Sequence, residues 1–204
     1  MSAIAADVCP RTPRLLIVPG LHDSGPAHWQ SWLERGDRAA TRVVQRDFAH
    51  PDLARWSARI DRVLETAGEE GGRWIAVAHS FGTLALVDHL RRRPDSPIRE
   101  ALLVAPADPD RFGIAEALPH RPLGRPLRLI ASRNDPWMSA ANAARWAARW
   151  GASLSDLGAV GHINTEAGFG PFPLARQWVE AARARAARER RVALAEWREW
   201  SFAI

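Results

Sequence analysis

The stretch Arg73-Trp74-Ile75-Ala76-Val77-Ala78-His79-Ser80-Phe81-Gly82 decides the reading of the whole chain. Residues 74–78 are apolar in succession, the pattern of a parallel strand covered on both faces. The run meets a serine with no linker, and a helical pattern over residues 83–92 follows at once. A strand-to-helix reversal this sharp holds the serine at strained backbone angles and projects its hydroxyl above the sheet, the form of a nucleophile elbow. Such a turn requires small residues two before and two after the serine, and Ala78 and Gly82 meet that condition. The usual pattern has glycine at the first of these positions, so Ala78 departs from it by one methyl group.

Working outward, short aliphatic runs recur along the chain, each followed by a stretch with helical spacing, which predicts an α/β fold. Strands are expected at residues 14–19, 41–46, 73–78, 101–105, 127–132 and, more weakly, 152–157. Helices are expected at 27–34, 51–67, 83–92, 140–150 and 174–200, with Pro26 and Pro51 in first helical turns, where proline is tolerated. Residues 106–126 form the longest stretch without periodicity. In an open sheet they would lie over the carboxyl ends of the strands as a small lid or cap. No internal repeat or linker divides the 204 residues, so one domain spanning 1–204 is expected, with a basic helical extension at about 181–204.

Composition narrows the class. Hydrophobic residues make up 47% and charged residues 25%, and 14 Gly with 15 Pro fall short of a fibrous or low-complexity chain. The apolar run Leu15-Leu16-Ile17-Val18 is far shorter than the ~20 residues of a membrane span, so no membrane partner is expected. Residues 1–10 carry no basic cluster followed by a long apolar stretch, which makes the cytoplasm the expected address. Cys9 is the single cysteine and cannot form an internal disulfide or a thiolate cluster. All 28 basic residues are arginine and there is no tyrosine, so little titrates between histidine and arginine. The pI of 11.1 reflects those missing groups; the net charge of +5 is modest.

Two further segments join the elbow. The strand at 14–19 runs into Pro19-Gly20-Leu21-His22, where a glycine lets the backbone turn and an amide point at the space above Ser80. The Leu21 and Phe81 amides are then candidates for an oxyanion hole, whose donors are worth roughly 3–4 kcal/mol each. After the strand at 127–132 comes Arg133-Asn134-Asp135-Pro136-Trp137, and after the last strand Gly161-His162-Ile163-Asn164. The order Ser80, Asp135, His162 is that of an α/β-hydrolase triad. A serine hydroxyl needs a base to become a nucleophile; His162 would supply it and Asp135 would orient the imidazole.

Taken together, the Pro19-Gly20 loop with Trp29 and Trp32, Ala78-His79-Ser80-Phe81-Gly82, Ser132-Arg133-Asn134-Asp135-Pro136-Trp137, Gly161-His162-Ile163-Asn164 and Gly168-Phe169-Gly170 resemble a known family. It comprises the small α/β-hydrolase-fold serine hydrolases of the retinoblastoma-binding protein 9 and YdeN type. The resemblance implies a three-layer sandwich with a mainly parallel sheet of about six strands, helices on both faces, a Ser80-Asp135-His162 triad, and no metal or organic cofactor. It does not extend to the basic end of the chain.

The expected function is a serine hydrolase, carboxylesterase-like or acting as an amidase or aminopeptidase. It would cleave a small-molecule acyl substrate (an ester, thioester or amide) through an acyl-enzyme on Ser80. The rival is a non-catalytic binding module that retains the fold. Asp108 and Asp110 compete with Asp135 because they too follow a strand. His79, next to the nucleophile, should point away from it and be structural; His28, His50, His89 and His120 have no motif context. His22 and Trp137 are candidates for substrate contact. Arginines 183, 185, 188, 190 and 191 read as a solvent-facing helix with Arg185 paired to Glu189, and with no stacking platform beside them no nucleic-acid partner is expected. Homodimerisation through Trp197 and Trp200 of the C-terminal helix is the alternative for that segment.

Overall fold

A computed structural model describes residues 12–68 and 72–201, the side chains of 194–201 excepted. Cys9, residues 1–10 as a whole and the side chains of Trp197 and Trp200 lie outside the described residues. Six parallel strands form one sheet in the order β2-β1-β3-β4-β5-β6. They are β1 (Arg14–Val18), β2 (Ala40–Arg42), β3 (Trp74–Ser80), β4 (Ile98–Pro106), β5 (Leu127–Ala131) and β6 (Ala152–Asp156). The helices are α1 (Trp29–Arg35), α2 (Leu53–Thr66), α3 (Phe81–Arg92), α4 (Ala140–Trp150) and α5 (Pro173–Ser201).

Successive strand residues face opposite ways, and here both ways lead into hydrophobic layers. Leu16, Val18, Ala76, Ala78, Leu103 and Leu129 pack with Trp56, Ile60, Leu84, Trp146 and Trp150 of α2, α3 and α4. Leu15, Ile17, Ile75, Val77, Leu102 and Ile130 pack with Trp29 and Leu33 of α1 and Trp178 and Val179 of α5. That double burial is why the central strands read as unbroken apolar runs. The result is the three-layer sandwich expected from the sequence.

Several boundaries differ from expectation. The second strand was expected over 41–46 but spans Ala40–Arg42. Its partner β1 runs out: the Val43 amide still donates to the Ile17 carbonyl at 2.8 Å, and beyond that β1 passes into Pro19. Helices α1 and α2 begin after His28 and Asp52, whose side chains accept from Gln30 N and Arg55 N, so Pro26 and Pro51 precede the caps and do not occupy first turns. Helix α3 starts at Phe81 and not at 83, because Ser80 alone makes the reversal.

The segment following β4 forms two 3-10 turns, Pro109–Phe112 and Ala115–Ala117. It is fastened to the next loop by Asp108 N donating to Trp137 O at 3.0 Å. Phe112 meets Phe81 edge-on with centroids 5.0 Å apart. Strand order reverses between β1 and β3, and the crevice at such a switch point is where open α/β sheets place ligands. Among the described residues no helix is long and apolar enough to cross a membrane.

Candidate active site

At the end of β3 the backbone of Ser80 adopts φ 51° and ψ −128°, a region that costs a non-glycine residue ~1–3 kcal/mol. Sterics of the neighbouring strand fix this geometry. A Cβ added to Gly82 would sit 2.2 Å from the Pro19 carbonyl oxygen and 2.6 Å from that of Val18. The nearest demand for a small residue at 82 therefore comes from the end of β1. At Gly20 a Cβ would lie 2.7 Å from Ser80 Cβ and 3.3 Å from Ser80 Oγ. Glycine is needed there for close approach to the serine.

Ser80 Oγ lies 2.9 Å from His162 Nε2, and His162 Nδ1 lies 2.9 Å from both carboxylate oxygens of Asp135. All three residues are buried. The Trp137 amide also donates to Asp135 Oδ1 at 2.9 Å, which fixes the carboxylate. The arrangement can pass a proton from the hydroxyl to the ring while the carboxylate holds the opposite ring nitrogen.

Asp108 takes a different part. It accepts from Asn142 Nδ2 at 2.6 Å and from the Asp110 amide at 3.2 Å, capping a 3-10 turn. Asp110 pairs with Arg145. Neither contacts His162.

Beside Ser80, the Phe81 amide opens α3, where helix amides lack internal acceptors. Among the described residues the Leu21 amide has no acceptor. His22 is exposed at φ 63° and its amide donates to Phe48 O. Trp137 is 42% exposed, with its ring 6.3 Å from that of His162 and the Arg111 guanidinium 5.6 Å from its centroid.

The histidine loop is fastened from several directions that sequence reasoning did not find. Asn134 Oδ1 accepts from Gly161 N at 2.7 Å, and Ser132 Oγ accepts from Val160 N at 3.0 Å, stitching this loop to the one bearing Asp135. His79 Nε2 donates to the His162 carbonyl at 3.0 Å, and Trp29 Nε1 donates to the Ile163 carbonyl at 2.8 Å. The rings of His28, His79 and His162 form a row with 4.9 Å between neighbouring centroids.

Burial, then the charges of His162 and His28, holds the His79 pKa well below its usual value, despite its hydrogen bond to the His162 carbonyl. Burial, then the Arg42 and His162 charges, lowers His28 to about 4, with Asp23 opposing. Both are therefore neutral near pH 7. A second positive charge 4.9 Å from an imidazolium would oppose it by ~3 kcal/mol at an effective dielectric near 20.

Gln30, fully buried, donates to the Val18 and Val77 carbonyls at 3.1 Å and so ties β1 to β3 beneath the site. Of the other histidines, His89 is buried between Asp61 and Ser96, His50 is exposed beside Asp47, and His120 lies 3.8 Å from Glu116. The Arg185–Glu189 pair expected on α5 does not form. Arg185 bonds Glu100 at 2.7 Å, while Glu189 lies 3.9 Å from Arg73. Glu100 is nearly buried, and a charge-assisted bond to such a carboxylate outweighs an exposed pair on one helix.

A sequence model of the serine hydrolase family matches residues 15–181. The match ends inside α5. No curated protein matches the chain. Among solved structures, a YdeN-like hydrolase of Pectobacterium atrosepticum is 38% identical, with 89% of this chain and 92% of that one aligned at a TM-score of 0.74. The YdeN protein of Bacillus subtilis is 20% identical over 83% of this chain and 98% of its own, with a TM-score of 0.68. A carboxylesterase of Bacillus cereus is 18% identical over 85% and 91%, with a TM-score of 0.57. The latter two show likeness of fold.

Proposed function

The chain belongs to the serine hydrolase family, and from that premise we propose that it hydrolyses a small ester, thioester or amide through an acyl-enzyme on Ser80. The observation that carries the reading is the 2.9 Å approach of Ser80 Oγ to a His162 ring whose far nitrogen meets Asp135 at 2.9 Å.

In the first half-reaction Ser80 Oγ attacks the acyl carbon and its proton passes to His162 Nε2. The carbonyl electron pair moves onto oxygen, where the Leu21 and Phe81 amides stabilise it. Asp135 holds the imidazolium in orientation. Collapse of the tetrahedral species breaks the bond to the leaving group, which takes the proton from His162. A water molecule then attacks the acyl-enzyme, gives its proton to His162, and releases the acid as the proton returns to Ser80. His22, two residues after Gly20, and Trp137, whose ring lies 6.3 Å from that of His162, are the candidates for substrate contact.

The small size of the substrate is argued from the 3-10 turns after β4. Among the described residues, two short turns and the edge-on Phe112–Phe81 contact cover the elbow, with no helical cap that could enclose a long chain.

A fluorophosphonate probe tests the proposal: the wild type should label covalently and Ser80→Ala should not. Hydrolysis of short-chain p-nitrophenyl esters should be lost in the same variant. A folded wild type that never labels would instead favour a binding module built on the same fold.

A further inference from the structure

The residue before the nucleophile stands outside the proton-transfer chain, yet it touches the base. Successive residues of β3 grip the two ends of His162: Ser80 Oγ meets the ring, and His79 Nε2 donates to the backbone carbonyl. We propose that His79, together with Trp29, is a positioning residue that locks the 161–163 loop so that His162 reaches Ser80. This rests on the triad reading above.

The loop needs such a lock because of its own backbone. Gly161 lies at φ 69° and Ile163 at φ 49°. A β-branched residue in the left-handed region is strained, and such a conformation persists only where surrounding contacts over-determine it. Ile163 is fully buried and His162 nearly so, leaving their carbonyls little access to water. An unsatisfied buried carbonyl is costly. His79 and Trp29 satisfy these two consecutive carbonyls with ring N–H groups, one from the elbow strand and one from α1.

The donors are themselves held. Their rings meet edge to face at 86°, with 5.9 Å between centroids. Phe172 packs against Trp29. The groups that titrate around His79 are His28 at the start of α1 and His162 itself, with Arg42 and Asp23 beyond His28. Neutral His79 offers the donor that the carbonyl requires without adding charge beside the base. The direction of its pKa agrees with that state.

The test compares His79→Leu, His79→Gln and Trp29→Phe by kcat and KM on a short-chain p-nitrophenyl ester and by fluorophosphonate labelling rate. Thermal unfolding is measured alongside. His79→Leu removes the donor, and kcat and labelling rate should fall ~10–100-fold with KM within about twofold, as expected for a base moved off line. His79→Gln, which can still donate an amide N–H, should recover most of that loss. Trp29→Phe keeps a ring in place, and should cost kcat several-fold. The double variant should lose less than the product of the two, since both donors hold one loop.

Unchanged kcat in folded His79→Leu would overturn the proposal. So would a Gln variant as impaired as Leu at equal melting temperature, which would trace the effect to packing. If His79→Leu does not fold, Trp29→Phe decides: full kcat sinks the proposal, and a kcat loss at constant KM supports it. Failure of wild type to label would instead refute the triad reading and take this inference with it.

Discussion

Ser80 and His162 face each other at 2.9 Å, yet they are held by opposite means. The serine is fixed by covalent proximity and contact sterics. Its strand, its turn and its helix are contiguous; Gly20 admits the side chain of Ser80 and Gly82 the end of β1, and a side chain at either would push its neighbour away. The histidine has no such local support. Its loop contains two positive φ values and is held by side chains from α1, from β3 and from the loop after β5. The proposed nucleophile is thus placed by secondary structure and the proposed base by tertiary contacts. Perturbations should therefore act differently on the two sides of one hydrogen bond.

The severest break is expected on the serine side, where nothing can yield. Gly82→Ala forces a methyl to within 2.2 Å of the Pro19 oxygen, a contact relieved only by separating α3 from β1. Both are core elements, so the variant should yield little folded protein, or a melting temperature at least ~10 °C lower by circular dichroism. A well-folded variant with intact activity would show that the elbow is softer than its contacts imply.

On the histidine side, a change of equal size should leave the fold and remove the chemistry. Asp135→Asn keeps the shape and the Ser132–Asn134 stitching while losing the charge that holds the imidazolium. A kcat loss of about 10³–10⁴-fold is expected with melting little altered. Asp108→Asn, whose partners are Asn142 and a turn amide, should stay within a few-fold of wild type. The reverse pattern would transfer the acid's role to Asp108.

This asymmetry also explains what could be read from the residues alone. Buried strands announce themselves because both faces are covered, so 15–18, 74–78 and 129–131 stand out as apolar runs. The edge strand did not: whether residues 43–46 pair depends on where β1 stops, which is a property of a neighbour. The elbow was legible because its signature lies within five consecutive residues, although what Gly82 makes room for is the end of β1. The lock on His162 was not, since its hydrogen bonds span 83 and 134 positions and use side chains whose local context is ordinary. His79 read as a structural imidazole and His28 as one without motif context, and only the fold shows that they form a row with the ring of His162. The arginines of α5 gave a similar lesson. Spacing along one helix suggested Arg185 with Glu189, and the buried carboxylate of Glu100 on β4 took the cation instead.

Acid should expose the same division more gently, because the imidazoles behind the base titrate and the elbow does not. His28 carries a pKa of about 4 in the folded protein against 6.5 for the free side chain, chiefly through burial. Between those values the unfolded chain binds a proton that the folded chain refuses, so stability falls as pH drops through 6.5 and levels off below about 4. The full difference is roughly 3 kcal/mol. His79 and His89 are lowered as well and add to the same limb, so the effect must be isolated by substitution. His28→Asn retains an oxygen that can accept from Gln30 N and cap α1, but it does not titrate. Urea unfolding between pH 7 and 4.5 should then show a shallower loss of stability than wild type, by up to ~1.4 kcal/mol per pH unit. Parallel curves for the two proteins would mean that His28 is not the group refusing the proton, and would move the acid-sensitive element away from the start of α1.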